Sequence, residues 1–311
     1  MVKKRHFIIV MSILFVGLVI GSFLDLQINQ GLFSKNNGFG IFMAAFGTLP
    51  SYAGLAFLAG GLFGSTLKRK DLHVAIRVTC YIAAVIAYGV SVYLGSKDAP
   101  SPNGFNDEKF RIPFLLASAV VFAGVAYLGF RACFKKDKKE LWALTIVMIF
   151  IYAVGLIPVS YVIKLFIHRP RFRYLVNSGE ISFHNWWESY KAYKDYLATN
   201  PMIDGIEITK EEFKSFPSGH SGAAAILMMF LPYMSAFYNK LKGKEVIMFY
   251  IGFAWALVMM FSRMLVGAHY LSDTCMGALI LMAIYFITHV FAHSKGWIFK
   301  EQIEKQEAVL E

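Results

Sequence analysis

Apolar residues dominate this chain in long runs that short polar segments separate. A helical crossing of a bilayer core needs about 20 apolar residues. Eight runs approach that length, at residues 7–25, 41–64, 74–95, 113–132, 141–163, 221–238, 246–262 and 273–292. The pattern predicts an all-α, polytopic membrane helix bundle with about eight transmembrane helices. No small-x-small cleavage site follows the first run, so we expect it to be an uncleaved anchor.

The positions of lysine and arginine predict the orientation of this bundle. Basic clusters occur at residues 3–5, 68–70, 135–139, 240–244 and 295–305, which is every second junction between the runs. Because cytoplasmic loops are enriched in these residues, both termini are predicted to be cytoplasmic. The net charge of +11 then follows largely from topology, and its expected partner is the anionic membrane bilayer rather than nucleic acid. The three cysteines are scattered singly, which indicates neither a disulfide framework nor a zinc site.

A basic segment after the fifth run breaks this alternation, because it lies on the outer side by the same count. If the fifth helix continues, Lys164 and Arg171 are seven residues apart and share a face, whereas Arg169 points elsewhere. Pro170 can end or kink that helix. A lysine and an arginine on one face can clamp phosphate oxygens. Basic residues near helix ends also extend toward lipid headgroups, and this alternative stays open.

The string Pro217-Ser218-Gly219-His220 leads into the sixth run. Free backbone N–H groups at a helix start favour an anion, and Gly219 lets the backbone approach a ligand closely. Ser218 can add a hydroxyl donor, and His220 could give a proton to a leaving oxygen. A lone histidine at such a position is more often structural, so both interpretations remain open.

The loop between the last two runs carries Ser262-Arg263, then His269 and Asp273. His269 and Asp273 are four residues apart and would be neighbours on a helix. A carboxylate that binds one imidazole nitrogen fixes the tautomer and leaves the other nitrogen as a base or nucleophile. Alternatively, Asp273 is a helix cap. By the count of runs, all three polar clusters lie on the outer side, so we expect them to form one site.

The order Lys-x6-Arg, Pro-Ser-Gly-His, Ser-Arg-x5-His-x3-Asp resembles the signature of the type 2 phosphatidic acid phosphatase superfamily. That family includes bacterial undecaprenyl-diphosphate and phosphatidylglycerophosphate phosphatases. The likeness covers roughly residues 141–292 and, more weakly, the first two runs, so runs three and four are additional to the usual six. In the family, proline follows the arginine of the first motif. Here proline follows Arg169, while the spacing selects Arg171, so both are candidates.

The resemblance implies that His269, oriented by Asp273, attacks phosphorus to form a phosphohistidine and that His220 protonates the leaving group. It implies no metal and no other cofactor. The phosphate-binding residues that it implies are Lys164, Arg171, Ser218, Gly219 and Arg263, with Arg169 as the less favoured choice.

The implied function is hydrolysis of a lipid phosphate or diphosphate at the extracytoplasmic face of the cell membrane. Candidate substrates are of the undecaprenyl diphosphate, phosphatidylglycerophosphate or phosphatidic acid type. Two alternatives are a phosphoryl or headgroup transferase of the same superfamily and a non-hydrolytic protein that binds or transports phosphate or lipid.

The same resemblance divides the chain into three parts. Residues 1–140 form the N-terminal transmembrane helices, residues 141–295 carry the catalytic motifs, and residues 296–311 form a cytoplasmic tail. In the loop before the sixth run, Trp186 and Trp187 suit the headgroup level of a bilayer. We hypothesise that they border a lateral entrance for a lipid tail; the alternative is a loop that packs its aromatic residues on itself.

Overall fold

The computed structural model describes residues 2–98, 108–136, 139–157, 162–178, 181–188, 190–191, 193–199, 202–203, 206–207 and 209–294. The α-helices of these residues are α1 (Lys4–Leu32), α2 (Gly38–Phe46), α3 (Leu49–Lys68), α4 (Val74–Ser96), α5 (Glu108–Lys136), α6 (Lys139–Ile157), α7 (Phe172–Ser178), α8 (Tyr193–Thr199), α9 (Gly219–Ala225), α10 (Leu227–Phe237), α11 (Glu245–Leu265) and α12 (Leu271–Ser294). A hairpin of two-residue antiparallel strands, β1 (Met202–Ile203) and β2 (Ile206–Glu207), lies in the loop after α8.

Eight helical segments of the described residues are long and apolar enough to cross a membrane. They are Lys4–Leu32, Gly38–Lys68, Val74–Ser96, Lys109–Lys136, Lys139–Leu156, Gly219–Phe237, Glu245–Leu265 and Leu271–Thr288. The prediction of an α-helical membrane bundle with eight spans is therefore confirmed. Two spans are each built from two consecutive helices, α2 with α3 and α9 with α10.

The second span breaks between α2 and α3, at Gly47 and Thr48. A break inside a bilayer leaves backbone groups without helical partners, and these groups must be satisfied within the protein. The indole nitrogen of Trp255 in α11 donates to the Gly47 carbonyl at 2.9 Å. Pro50 lies in the first turn of α3, where its missing N–H costs nothing. The Gly47 carbonyl at the break therefore has a hydrogen-bond donor within the protein, as a break inside a bilayer requires.

The core lies where the N-terminal and C-terminal helices meet. Helix α1 packs against α12, α3 packs against α4 and α5, and α9 packs between α11 and α12. Fully buried core residues include Leu14, Leu58, Met148, Met228 and Leu281. The outer faces of α1, α4 and α5 are exposed and consist largely of apolar side chains, as expected for helices that face lipid.

The expected helix through Lys164 and Arg171 is wrong. Helix α6 ends at Ile157, Lys164 lies in a 3₁₀ turn, and α7 begins only after Arg171. Pro170 accounts for the non-helical backbone just before α7, because it has no N–H to donate and disfavours helical backbone at the residue before it; it does not account for the end of α6 at Ile157. A loop, not a helix face, therefore positions the two cations.

The two tryptophans of the long loop before α9 have different surroundings. Trp186 stacks on Phe216 with ring centroids 5.3 Å apart, and its indole nitrogen donates to the Ser22 hydroxyl of α1 at 2.9 Å. Trp187, in contrast, has 53% of its surface exposed. The loop therefore rests on α1 through Trp186, and the lateral entrance stays a prediction. The expected cytoplasmic tail, residues 296–311, lies outside the described residues.

Close contact between α3 and α5 generates a prediction about stability. A Cβ atom on Gly129 of α5 would overlap the Phe57 carbonyl of α3, whereas Gly124, also in α5, has open space around it. Small residues allow membrane helices to approach closely. We expect Gly129→Ala to lower the free energy of unfolding by about 1–3 kcal/mol, because the two backbones must separate. Thermal unfolding in detergent micelles measures this. Gly124→Ala is the matched control, and an equal effect of both variants would contradict the prediction.

Candidate functional site

Three loops that are distant in sequence meet at one end of the bundle. The Ser218 amide donates to the Asp273 carbonyl at 2.9 Å, and the Ser215 amide donates to the Arg169 carbonyl at 3.0 Å. The Arg173 amide donates to the Gly267 carbonyl at 2.9 Å. Backbone hydrogen bonds therefore join the basic segment after α6, the loop before α9 and the turn between α11 and α12, so the structure brings the three motifs together.

The turn between α11 and α12 ties Arg263 to His269. The amides of Ala268 and His269 both donate to the Arg263 carbonyl, at 3.0 and 3.3 Å. Gly267 makes this tight turn with φ of +61°, a conformation that side chains disfavour, and a Cβ there would lie 2.8 Å from the Arg173 amide nitrogen. The spacing between the arginine and the histidine of the third motif thus corresponds to one compact turn.

A backbone carbonyl orients the His269 imidazole. Its Nδ1 lies 2.6 Å from the Ser215 carbonyl oxygen. A carbonyl only accepts hydrogen bonds, so Nδ1 carries the hydrogen and Nε2 carries the lone pair. From the sequence, the Asp273 carboxylate is expected to bind one imidazole nitrogen. In the structure the carboxylate lies 3.9 Å from Nδ1. Asp273 instead accepts from the Ser215 hydroxyl at 2.5 Å and from the Tyr270 amide at 2.9 Å, so it holds the loops around the imidazole.

The surroundings of His269 keep its imidazole neutral. Burial holds the pKa of His269 well below its usual value; Asp273 raises this pKa in part, while the positive charges of Arg171 and Lys164 lower it further. A neutral imidazole with its hydrogen on Nδ1 has a lone pair on Nε2 at neutral pH. The residue therefore has the protonation state that a nucleophile needs.

Arg169 is fully buried, and all three nitrogens of its guanidinium donate to acceptors within the protein. Its guanidinium makes ion pairs with Asp25 of α1 at 2.9 Å and with Asp273 of α12 at 2.5 Å. It also donates to the Ser272 hydroxyl at 2.9 Å and to the His184 carbonyl at 2.8 Å. A buried charge needs such partners. The arginine that precedes proline is therefore engaged in a structural network.

Arg171 and Arg263 differ from Arg169 because they have free donors. Within the described part of the chain, Nε of Arg171 and both Nε and Nη1 of Arg263 are buried without a hydrogen-bond acceptor. Buried donors are rarely left without partners in proteins.

Burial lowers the pKa of Lys164 to about 7, and the charges of Arg171 and Lys97 contribute to the shift. These three cations, Lys164, Arg171 and Arg263, can together accept an anion that supplies the missing acceptors.

The Pro-Ser-Gly-His string ends the long loop before α9 and forms the start of that helix. The Ser218 hydroxyl caps the helix by accepting from the Ser221 amide at 3.3 Å, and Gly219 is the first helical residue. Nε2 of His220 lies 3.3 Å from the Asp98 carboxylate, which follows α4, and 3.3 Å from the Ala44 carbonyl of α2. The histidine therefore faces the N-terminal half of the chain. Among the described residues, no group of three or more His, Cys, Asp or Glu side chains could hold a metal ion.

Several residues of this region have no counterpart in the sequence motifs. Asp25 accepts from Arg169 and from Ser272, and Asn29 donates to the His269 carbonyl at 3.1 Å. Asp25 is the single acidic residue of α1, and an acid in a membrane span is costly without a partner, so its presence could have signalled a buried ion pair. Asp98 lies at the end of a span, where a charge is common, and carries no such signal.

Comparison with known proteins identifies a family. The model of the PAP2 superfamily matches residues 140–297, about half of the chain, and this region contains all three motifs. No curated protein and no solved structure matches the chain significantly. Given the extent of the family match, the chain belongs to the PAP2 superfamily.

Proposed function

We propose that this protein is an integral membrane phosphatase that hydrolyses a lipid phosphate or diphosphate through a phosphohistidine intermediate. The observation that carries the proposal is the hydrogen bond from His269 Nδ1 to the Ser215 carbonyl, which leaves the Nε2 lone pair beside cations with free donors. Membership of the PAP2 superfamily supports a phosphatase, and eight apolar spans support a substrate that resides in the bilayer.

In the first step, Nε2 of His269 attacks phosphorus, so a P–N bond forms while the bond to the leaving oxygen breaks. His220 gives a proton to that oxygen. In the second step, water attacks phosphorus while His220 takes a proton from it, so a P–O bond forms, the P–N bond to His269 breaks, and phosphate is released. Both transition states spread negative charge over the equatorial phosphate oxygens, which preorganised cations stabilise.

The remaining residues divide into ligands and supports. Lys164, Arg171 and Arg263 bind the phosphate oxygens in this proposal, with the Ser218 hydroxyl and the Gly219 amide as further donors. Asp273 supports the nucleophile indirectly, because it accepts from the Ser215 hydroxyl and the Ser215 carbonyl holds the imidazole. Arg169 supports Asp273 and is not a phosphate ligand.

The proposed site faces the extracytoplasmic side of the cell membrane. Basic clusters mark the cytoplasmic ends of the spans. The three motifs lie at the other ends of the spans that carry them. A substrate at this face would present its phosphate at the headgroup level while its tail remains in the bilayer.

The nucleophile assignment predicts a loss of turnover in His269→Ala. Purified protein in micelles is given undecaprenyl diphosphate, phosphatidylglycerophosphate and phosphatidic acid in turn, and released phosphate is measured. We expect native protein to release phosphate from at least one of them and His269→Ala to be slower by at least about a thousandfold. His73→Ala, which changes the residue that caps the N-terminal end of α4, the end opposite to Asp98, is the control and should match native activity. Full activity of His269→Ala would refute the nucleophile, and no release by native protein would favour a binding protein.

The two candidate arginines predict opposite phenotypes. Arg171→Ala removes a phosphate ligand, so we expect lower kcat/KM with an unchanged thermal midpoint. Arg169→Ala leaves Asp25 and Asp273 buried without their partner, so we expect a loss of about 3–5 kcal/mol in unfolding free energy. Thermal unfolding and steady-state kinetics on both variants test this, and each variant is the control for the other. If Arg171→Ala is the unstable variant and Arg169→Ala folds but fails to bind substrate, the assignment is reversed.

Lys164 predicts how anion binding depends on pH. Its pKa of about 7 means that the ammonium loses its charge as the pH rises through neutrality. Sulfate stays a dianion over this range, so its inhibition of the enzyme should weaken between pH 6 and 8.5, by up to about tenfold per pH unit above the pKa. Arginine remains charged, and Lys164→Arg should therefore flatten the dependence. The same slope in both proteins would show that Lys164 does not titrate at the anion site.

A further inference from the structure

Asp98 reaches the site from a part of the chain that the family match does not include. It follows α4, whereas the PAP2 superfamily match begins at residue 140. Its Oδ2 atom lies 3.3 Å from Nε2 of His220. This oxygen is buried and, within the described residues, makes no hydrogen bond, so its contact with His220 is an ion pair, while the hydrogen bond of Nε2 is with the Ala44 carbonyl. The third span, which is additional to the usual six, therefore ends with an acid against the second histidine of the site.

The charges around this contact favour an ionised Asp98. Burial alone would raise its pKa, but His220, Lys97 and Arg263 together lower it to about 2. Three charged groups face His220: Asp98 and Lys97 after α4, and Arg263 from α11. Burial, together with the positive charges of Arg263 and Lys97, favours the neutral imidazole of His220, and the adjacent Asp98 carboxylate opposes this because it favours the protonated form. The Ala44 carbonyl of α2 is a second acceptor close to the same nitrogen.

We propose that Asp98 is a positioning residue that orients His220 and favours protonation of its imidazole for the step in which the leaving group departs, and that the additional spans thereby contribute to the catalytic site. An imidazolium has two N–H donors, so Nε2–H stays between Asp98 and the Ala44 carbonyl while Nδ1–H donates to the leaving oxygen. After the proton moves to that oxygen, His220 is neutral and still donates through Nε2. Nδ1 then takes a proton from the attacking water, which restores the imidazolium. This inference rests on the proposed phosphatase function.

The dependence on the leaving group tests this role, because an alkoxide needs a proton when it leaves and a nitrophenolate does not. The variant Asp98→Asn is assayed with dioctanoyl phosphatidic acid and with 4-nitrophenyl phosphate. We expect kcat/KM, which reports the step in which the leaving group departs and not the later hydrolysis, to fall about 10- to 100-fold on phosphatidic acid, in the range of assistance from a positioned acid. On 4-nitrophenyl phosphate the loss of kcat/KM should be less than about threefold. Equal losses on both substrates would overturn the proposal, as would a gain in activity, which would mark Asp98 as a competitor of the phosphate.

Two further variants separate this role from stability. Asp71→Asn makes the same change before α4, where Asp71 pairs with Arg69, and should affect neither substrate. Asp98→Glu keeps the carboxylate and should recover part of the activity on phosphatidic acid. A glutamate variant as impaired as Asp98→Asn on both substrates would contradict a role that depends on the charge.

Failure of the proposed function gives a different result. If native protein releases phosphate from no substrate, the acid role falls with the function. The contact itself is then tested by ¹⁵N NMR of the His220 imidazole in micelles, with the signal assigned from a His220→Asn variant. The signal should differ between native protein and Asp98→Asn at neutral pH, because the partner of Nε2 is lost. An unchanged signal would show that the two side chains do not interact.

Discussion

The ion pairs of Arg169 with Asp25 and Asp273 are the constraint on which the site depends. A charge buried among membrane helices is tolerated only with partners of opposite charge. Arg169 satisfies two carboxylates at once, one from α1 and one from the first turn of α12. It thus fixes the first span against the last and positions the loop before α7 between them. Asp273, held in this way, accepts from the Ser215 hydroxyl, and the Ser215 carbonyl orients His269.

This network also explains why the cations of the site are not equivalent. Arg169 has four protein acceptors, so an incoming anion would compete with two carboxylates for it. Arg171 and Arg263 keep buried donors without acceptors in the described structure, and Lys164 lies close enough to affect His269. The site therefore separates charges that stabilise the fold from charges that remain available to a ligand.

The N-terminal half of the chain takes part in the same region. Asp25 and Asn29 of α1, the Ala44 carbonyl of α2 and Asp98 after α4 all contact residues of the motifs. The family match, in contrast, covers only residues 140–297. Residues outside the matched region therefore supply neighbours of both histidines of the site.

The sequence alone determined the eight spans and the residues of the three motifs. Apolar length and short spacings are local properties, which can be read along the chain without knowledge of the packing. The Ser215 carbonyl could not be predicted as the partner of His269, because a backbone group has no sequence signature. The helix expected through Lys164 and Arg171 is wrong, because α6 ends at Ile157 and the backbone just before Pro170 is not helical. Only the tertiary structure separated Arg169 from Arg171, since the partner Asp25 lies 144 residues away and charges that far apart meet only when the helices pack.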